Sequence, residues 1–112
     1  MLEQDLAQFT GTENYYKYIF GLKLTDGVKY LAEKGKCFWI MDIIASYQSK
    51  LSKNPFQLWE LIVASDKSAI ITCREDTETK ILVKQKIPWT DFEMTNIKIY
   101  VIDGVVLLPS EY

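Results

Sequence analysis

Histidine is absent from this 112-residue chain, which removes the commonest general base, the commonest transition-metal ligand and the usual pH switch. Cysteine is nearly absent. Cys37 and Cys73 are too few for a disulfide framework and are expected to be free thiols behaving as small buried hydrophobes. Without a histidine partner, neither thiol has the ordinary activating base. No apolar run approaches the length of a membrane span, and the start Met1-Leu2-Glu3-Gln4-Asp5 lacks the basic residues and apolar stretch of a secretory signal. A cytoplasmic location without membrane contact is the expectation. With 13 basic and 15 acidic residues the formal charge is only −2, so no overall field draws the chain to nucleic acid or to an anionic membrane; such binding needs a local patch. There is no phosphate-binding glycine loop, CxxC pair, metal-ligand spacing or nucleophile elbow. No cofactor and no metal are expected, and the balance leans away from an enzyme.

What is present is an ordinary globular composition, 48% hydrophobic and 25% charged, at the commonest size for one domain. No Pro-, Gly- or Ser-rich linker divides residues 1–112. The apolar spacing changes character once, around residues 50–55. Residues 1–52 are expected to be mainly helical and 55–112 to form an antiparallel sheet, giving an α+β fold with N-terminal helices packed on a four- to five-stranded meander.

Leu2, Leu6 and Phe9 are spaced as one stripe of a short helix, interrupted by Thr10-Gly11-Thr12. Residues 15–24 are aromatic-rich and ambiguous, with a helical start favoured because Thr12 is available as a cap. Thr25 or Asp26 suits the N-cap of a helix through Val28, Leu31 and Ala32, with Gly35 where it would stop. Residues 38 to about 51 carry apolar side chains on every side, the pattern of a buried core helix. Strands are expected at about 56–64, 68–74, 79–87, 97–102 and 105–108. Their connections are Ser65-Asp66-Lys67, Glu75-Asp76-Thr77-Glu78 and Asp103-Gly104, and Pro88-Trp89-Thr90-Asp91-Phe92 reads as a connecting loop or single helical turn. Asp103-Gly104 suits a type I′ hairpin loop. That loop pairs Ile102 with Val105 and Tyr100 with Leu107, so Ile97, Ile99, Val101, Val106 and Leu108 become the core face. Tyr100, Ile102, Val105 and Leu107 then form a second apolar face that needs cover, from the N-terminal aromatic segment or a second copy of the chain.

Candidate sites divide by chemistry. Asp42 lies within the most apolar helix, where an inward carboxylate needs donors or a raised pKa; a structural anchor held by a tyrosine, a tryptophan or the turn near Thr10 to Glu13 is the simpler reading. The rings of Tyr15, Tyr16, Tyr18, Phe20 and Tyr30 suit stacking on a planar ligand, or plain packing. Lys80, Lys84 and Lys86, sharing a strand face with Lys98 nearby, can track phosphates, but alternation with Ile81, Val83 and Ile87 is also what a half-buried strand shows. Glu75, Asp76 and Glu78 read as solubilising turn residues.

The blocks Phe9-Thr10-Gly11-Thr12-Glu13, Tyr15-Tyr16, 25–33 (Thr25-Asp26-Gly27-Val28-Lys29-Tyr30-Leu31-Ala32-Glu33), Trp39 with Asp42 and Ala45-Ser46, Trp89-Thr90-Asp91-Phe92 and Leu107-Leu108-Pro109-Ser110-Glu111-Tyr112 resemble a family of small uncharacterised bacterial and phage proteins, a domain of unknown function. The resemblance implies no activity. It also implies a histidine near the position of Tyr18, which this chain lacks. It directs attention to Glu13, Tyr16, Asp26, Trp39 and Asp42 as a buried network or a shallow pocket. The expectation is a noncatalytic interaction or accessory module acting as a homodimer or through a protein partner. The alternatives are a small-molecule binder or enzyme with an Asp/Tyr-lined pocket, and a nucleic-acid binder using the lysine-bearing face.

Overall fold

The computed structural model describes residues 2–76 and 79–112; Thr77 and Glu78 of the acidic turn, and Met1, lie outside the described residues. The described residues form three α-helices, α1 (Leu2–Leu6), α2 (Asp26–Lys34) and α3 (Phe38–Ser46), with two short strands between the first and the second. Thr25 caps α2 by accepting from the Val28 N–H at 3.3 Å, and Gly35 is its C-cap, as the residue types suggest. The strands are β1 (Tyr15–Lys17), β2 (Lys23–Thr25), β3 (Phe56–Val63), β4 (Ala69–Arg74), β5 (Val83–Ile87), β6 (Asn96–Ile102) and β7 (Val105–Leu107).

All seven form one sheet in the order β1-β2-β7-β6-β3-β4-β5. The α+β class holds, but the four- to five-stranded antiparallel meander is corrected to a seven-stranded mixed sheet, because β2 pairs with β7 in parallel. Residues 15–24, favoured as helical at their start, form the β1–β2 hairpin instead. Its loop is closed by the Tyr18 N–H donating to the Leu22 carbonyl at 2.8 Å. The third expected strand begins at Val83 rather than at 79. The β6–β7 hairpin has the expected register, Ile102 to Val105 and Tyr100 to Leu107, and Asp103 and Gly104 both adopt positive φ, 49° and 81°, as a type I′ loop demands.

Strand alternation separates two faces. Toward the helices point Trp59, Leu61, Ile71, Cys73, Val83, Ile97, Ile99, Val101 and Val106, joining Leu31, Ile40, Met41 and Ile44 in one hydrophobic cluster. The helix starting at Phe38 is shorter and less enclosed than its composition suggests: it ends at Ser46, and Phe38 and Asp42 are exposed. A nine-residue helix lying on a sheet buries one stripe, and Ile40, Met41, Ile44 and Ala45 supply it. The inner face also holds a buried polar relay. The Trp59 indole N–H donates to Gln57 Oε1 at 2.9 Å, and the side chains of Gln57 and Gln48 bond each other.

Among the described residues no α-helix lies over the outer face, and cross-strand registers order it in rows. Val105, Ile102 and Phe56 form one row, and Leu107, Tyr100, Leu58 and Arg74 the next. Then come Lys98, Glu60, Thr72 and Lys84, and finally Asn96, Ile62, Ile70 and Lys86. Part of the cover for the Tyr100 row comes from the C-terminal turn. Tyr112, at the end of the 3-10 turn Pro109–Glu111, packs its ring edge-on against Tyr100 at 5.6 Å and Phe56 at 6.1 Å. Leu58 and Leu107 are buried beneath this group, while Tyr100, Ile102 and Val105 are half-buried.

Candidate functional site

Residues from the blocks 9–13, 15–16, 25–33 and 107–112 converge on the first turn of α2. Asp26 Oδ1 accepts from the Tyr16 hydroxyl at 2.8 Å, and Oδ2 accepts from the backbone N–H groups of Glu13 at 3.0 Å and Asn14 at 3.3 Å. The Asp26 N–H donates in turn to Thr12 Oγ1 at 2.8 Å. From the other side, Glu111 Oε1 accepts from the Thr25 hydroxyl at 2.7 Å and the Leu108 N–H at 2.9 Å, and Oε2 accepts from the Gly27 N–H at 3.0 Å. Thr12 and Glu111 thus take up otherwise orphaned N–H donors at the positive end of the helix, and with the Asp26 carboxylate they fasten the 12–16 segment and the C-terminal turn to it.

The donors around Asp26, chiefly the Glu13 amide and then the Tyr16 hydroxyl, hold its carboxyl below the ordinary carboxylate range. Tyr16 is pushed up from its ordinary value, first by that same hydrogen bond to Asp26. A depressed folded-state pKa means the stabilisation is present above the unfolded value, 3.8, and is lost as pH falls through the lower folded value. Acidification below that value should therefore loosen the 12–16 segment before the core. Amide exchange of Glu13 and Asn14 in acid checks this, and protection persisting into the acid-unfolded range would contradict it.

Beside this junction lies an open cleft of about 480 Å³ between the 8–16 segment and α2. Its walls include the rings of Phe9, Tyr16 and Tyr30 and the carboxylates of Glu13, Asp26 and Glu33. Lys29 is the one basic residue in that lining; its Nζ lies 4.4 Å from the centroid of the Tyr16 ring and 3.9 Å from Glu33 Oε1. Phe9 and Tyr30 pack with ring centroids 5.2 Å apart, and the Tyr30 hydroxyl donates to Asp5 at 3.0 Å, tying α1 to α2.

Of the five residues expected to share a network or pocket, the structure brings together Glu13, Tyr16 and Asp26. Trp39 and Asp42 do not line that cleft. Asp42 is exposed rather than inward, because it faces away from the buried stripe of α3, and it accepts a hydrogen bond from the Tyr18 hydroxyl. Burial and then Asp42 push Tyr18 up to about 12, and its ring stacks on Phe38 at 6.2 Å. The carboxylate is an anchor for the β1–β2 loop, with a tyrosine as donor.

The lysines do not form one stripe. Lys80 precedes β5, and Lys84 and Lys98 stand three strands apart in one row with Glu60 and Thr72 between them. Both cysteines are buried and free, and burial pushes each thiol up to about 12, the opposite of what a nucleophile needs. Among the described residues no group of three or more His, Cys, Asp or Glu side chains could hold a metal ion, and no helix is long and apolar enough to cross a membrane.

Sequence reasoning passed over Lys29, Glu33 and Glu111. The first two were within reach, since Asp26, Lys29, Tyr30 and Glu33 have the spacing of one helical stripe. Glu111 gave no such signal, because its partners at the start of α2, Thr25 and Gly27, lie more than 80 residues away.

No curated protein and no solved structure matches the chain. Over residues 1–112, however, it matches a family-wide sequence description, and the chain therefore belongs to a family of unknown function, DUF6876.

Proposed function

We propose that this chain is a noncatalytic protein-interaction module that self-associates through the outer face of its sheet. The observation that carries this reading is the apolar surface left exposed beyond the charged row. Ile62 and Ile70, cross-strand neighbours, are 53% and 36% exposed, and with Ile81 at 41% they border a groove of about 240 Å³. Three large aliphatic side chains presented together to water, on a face with no covering helix, are what an interface looks like before it is filled. The adjoining row carries Glu60 among Lys98 and Lys84, so charge of both signs borders the apolar patch as a polar rim. Tyr100, Ile102, Val105 and Leu107 contribute less than their sequence promises, since Phe56 and Tyr112 already pack on that end.

Molar mass by light scattering over a concentration series tests the reading. The native chain should move toward twice its mass, and the double variant Ile62→Glu, Ile70→Glu should remain monomeric with unchanged circular dichroism. A native monomer at every concentration, or a variant that associates as the native chain does, rejects it.

Nucleic-acid binding through Lys84, Lys86 and Lys98 is the weaker alternative, because Glu60 interrupts the basic row. It requires steep weakening of binding with salt.

A further inference from the structure

The geometry points to the cleft beside α2 as a binding site for an alkylammonium or alkylguanidinium group, held over the Tyr16 ring between Glu13 and Glu33. This is independent of the self-association reading, which uses the opposite face of the sheet.

Three features support it together. The cleft, about 480 Å³, falls in the size range of small-ligand sites, about 300–1,000 Å³. Its lining sets three aromatic rings beside three carboxylates against a single ammonium, which is the composition that recognises organic cations through ring quadrupole and charge. Most directly, the structure already seats a cation there: Lys29 Nζ lies 4.4 Å from the Tyr16 centroid and 3.9 Å from Glu33. That lysine is no fixed part of the site, because its side chain is 40% exposed and its one ion pair is a surface pair within the helix, of a kind worth little. It is an intramolecular occupant that an incoming cation can displace.

The roles divide accordingly. Asp26 does not receive the ligand, since its oxygens are engaged by Glu13, Asn14 and Tyr16; it holds the Tyr16 ring in place as a positioning residue. Tyr16 offers the ring face, and Glu33, freed from Lys29, offers the carboxylate. Glu13 adds negative charge at the rim. Phe9 and Tyr30 close the apolar side, where the methylene stem of an alkyl cation packs.

The test is a titration of the full chain with agmatine and, separately, with an end-capped Gly-Arg-Gly peptide, followed by amide NMR shifts at constant ionic strength, with sodium chloride as the control. Saturable shifts at Glu13, Asn14, Tyr16 and Lys29, absent with sodium, are expected. Agmatine, a free aminoalkylguanidine, and the peptide separate the two sources of such a group: tighter peptide binding marks a protein side chain as the natural ligand, and tighter agmatine binding marks a small free cation. Lys29→Met should bind about two- to fivefold more tightly, the range given by removing one exposed cation–π competitor. Glu33→Gln should weaken binding. Tyr16→Phe should retain it if its fold is native, since the ring remains. No saturable shifts with either probe, or a Lys29→Met variant that binds no more tightly than the native chain, overturns the inference.

Discussion

Replacing Trp59 with alanine should lower the free energy of unfolding by about 3–5 kcal/mol, the usual cost of removing a large aromatic from a packed interior. Trp59 is 1% exposed and sits at the middle of β3, a strand paired on both sides, with Cys73 and Ile99 as its cross-strand neighbours. Its ring meets Tyr47 at 6.1 Å, so the indole joins the sheet to the end of α3. The lost indole N–H leaves no orphan, because Gln57 Oε1 still accepts from Gln48. The penalty is therefore cavity and transfer energy, and Trp59→Phe should cost less than half as much. Since domains of this size are stable by about 5–15 kcal/mol, urea denaturation should show the alanine variant near the edge of folding. A loss below about 1 kcal/mol would place the indole outside the core.

Gly27→Ala should also destabilise, by about 2 kcal/mol, although alanine is the better helix former by about 1 kcal/mol. The sign is decided by the C-terminal turn. A Cβ on Gly27 would meet Glu111 Oε1 at 2.7 Å and Leu108 Cδ1 at 2.8 Å, closer than real contacts allow, and overpacking costs about 1–3 kcal/mol. Moving Glu111 away also strains or breaks the bonds from Thr25, Gly27 and Leu108. Glu111→Ala alone should cost about 2 kcal/mol, in the range for charge-assisted hydrogen bonds. The two substitutions share one contact, so the double variant should lose less than the sum of the single losses, with a coupling of about 1 kcal/mol. The Leu108 clash keeps the coupling from being complete. If Gly27→Ala stabilises the chain instead, the C-terminal turn does not pack on the helix in solution.

The reach of the sequence shows in particular elements. The helix capped by Thr25 and stopped near Gly35 was legible because capping and termination are local. The Asp103-Gly104 hairpin was legible down to its register, because only residues tolerant of positive φ can close a two-residue loop. Ala69, Ile71 and Cys73 are buried in alternation along β4, as the period of a strand dictates. By contrast, β1 and β2 span three residues each, too short for any period. They exist because β2 finds β7, at the far end of the chain.

The candidate site divides in the same way. Glu13, Tyr16 and Asp26 were nominated, with Trp39 and Asp42, on the family resemblance, and they meet because the Asp26 carboxylate binds the 13–16 segment directly. Asp42 was weighed for the case that it turns inward among apolar neighbours; a helix on a sheet has one solvent side, and the carboxylate took it.

The sequence by itself determined the α+β class, the caps and turns, the final hairpin and the face of it that enters the core, because each rests on interactions within a few residues. Only the tertiary structure decided the parallel β2–β7 pairing, the docking of Glu111 on α2, the packing of Tyr112 on Tyr100 and the exposure of Ile62 and Ile70. Those depend on which distant segments meet, and no local propensity encodes that.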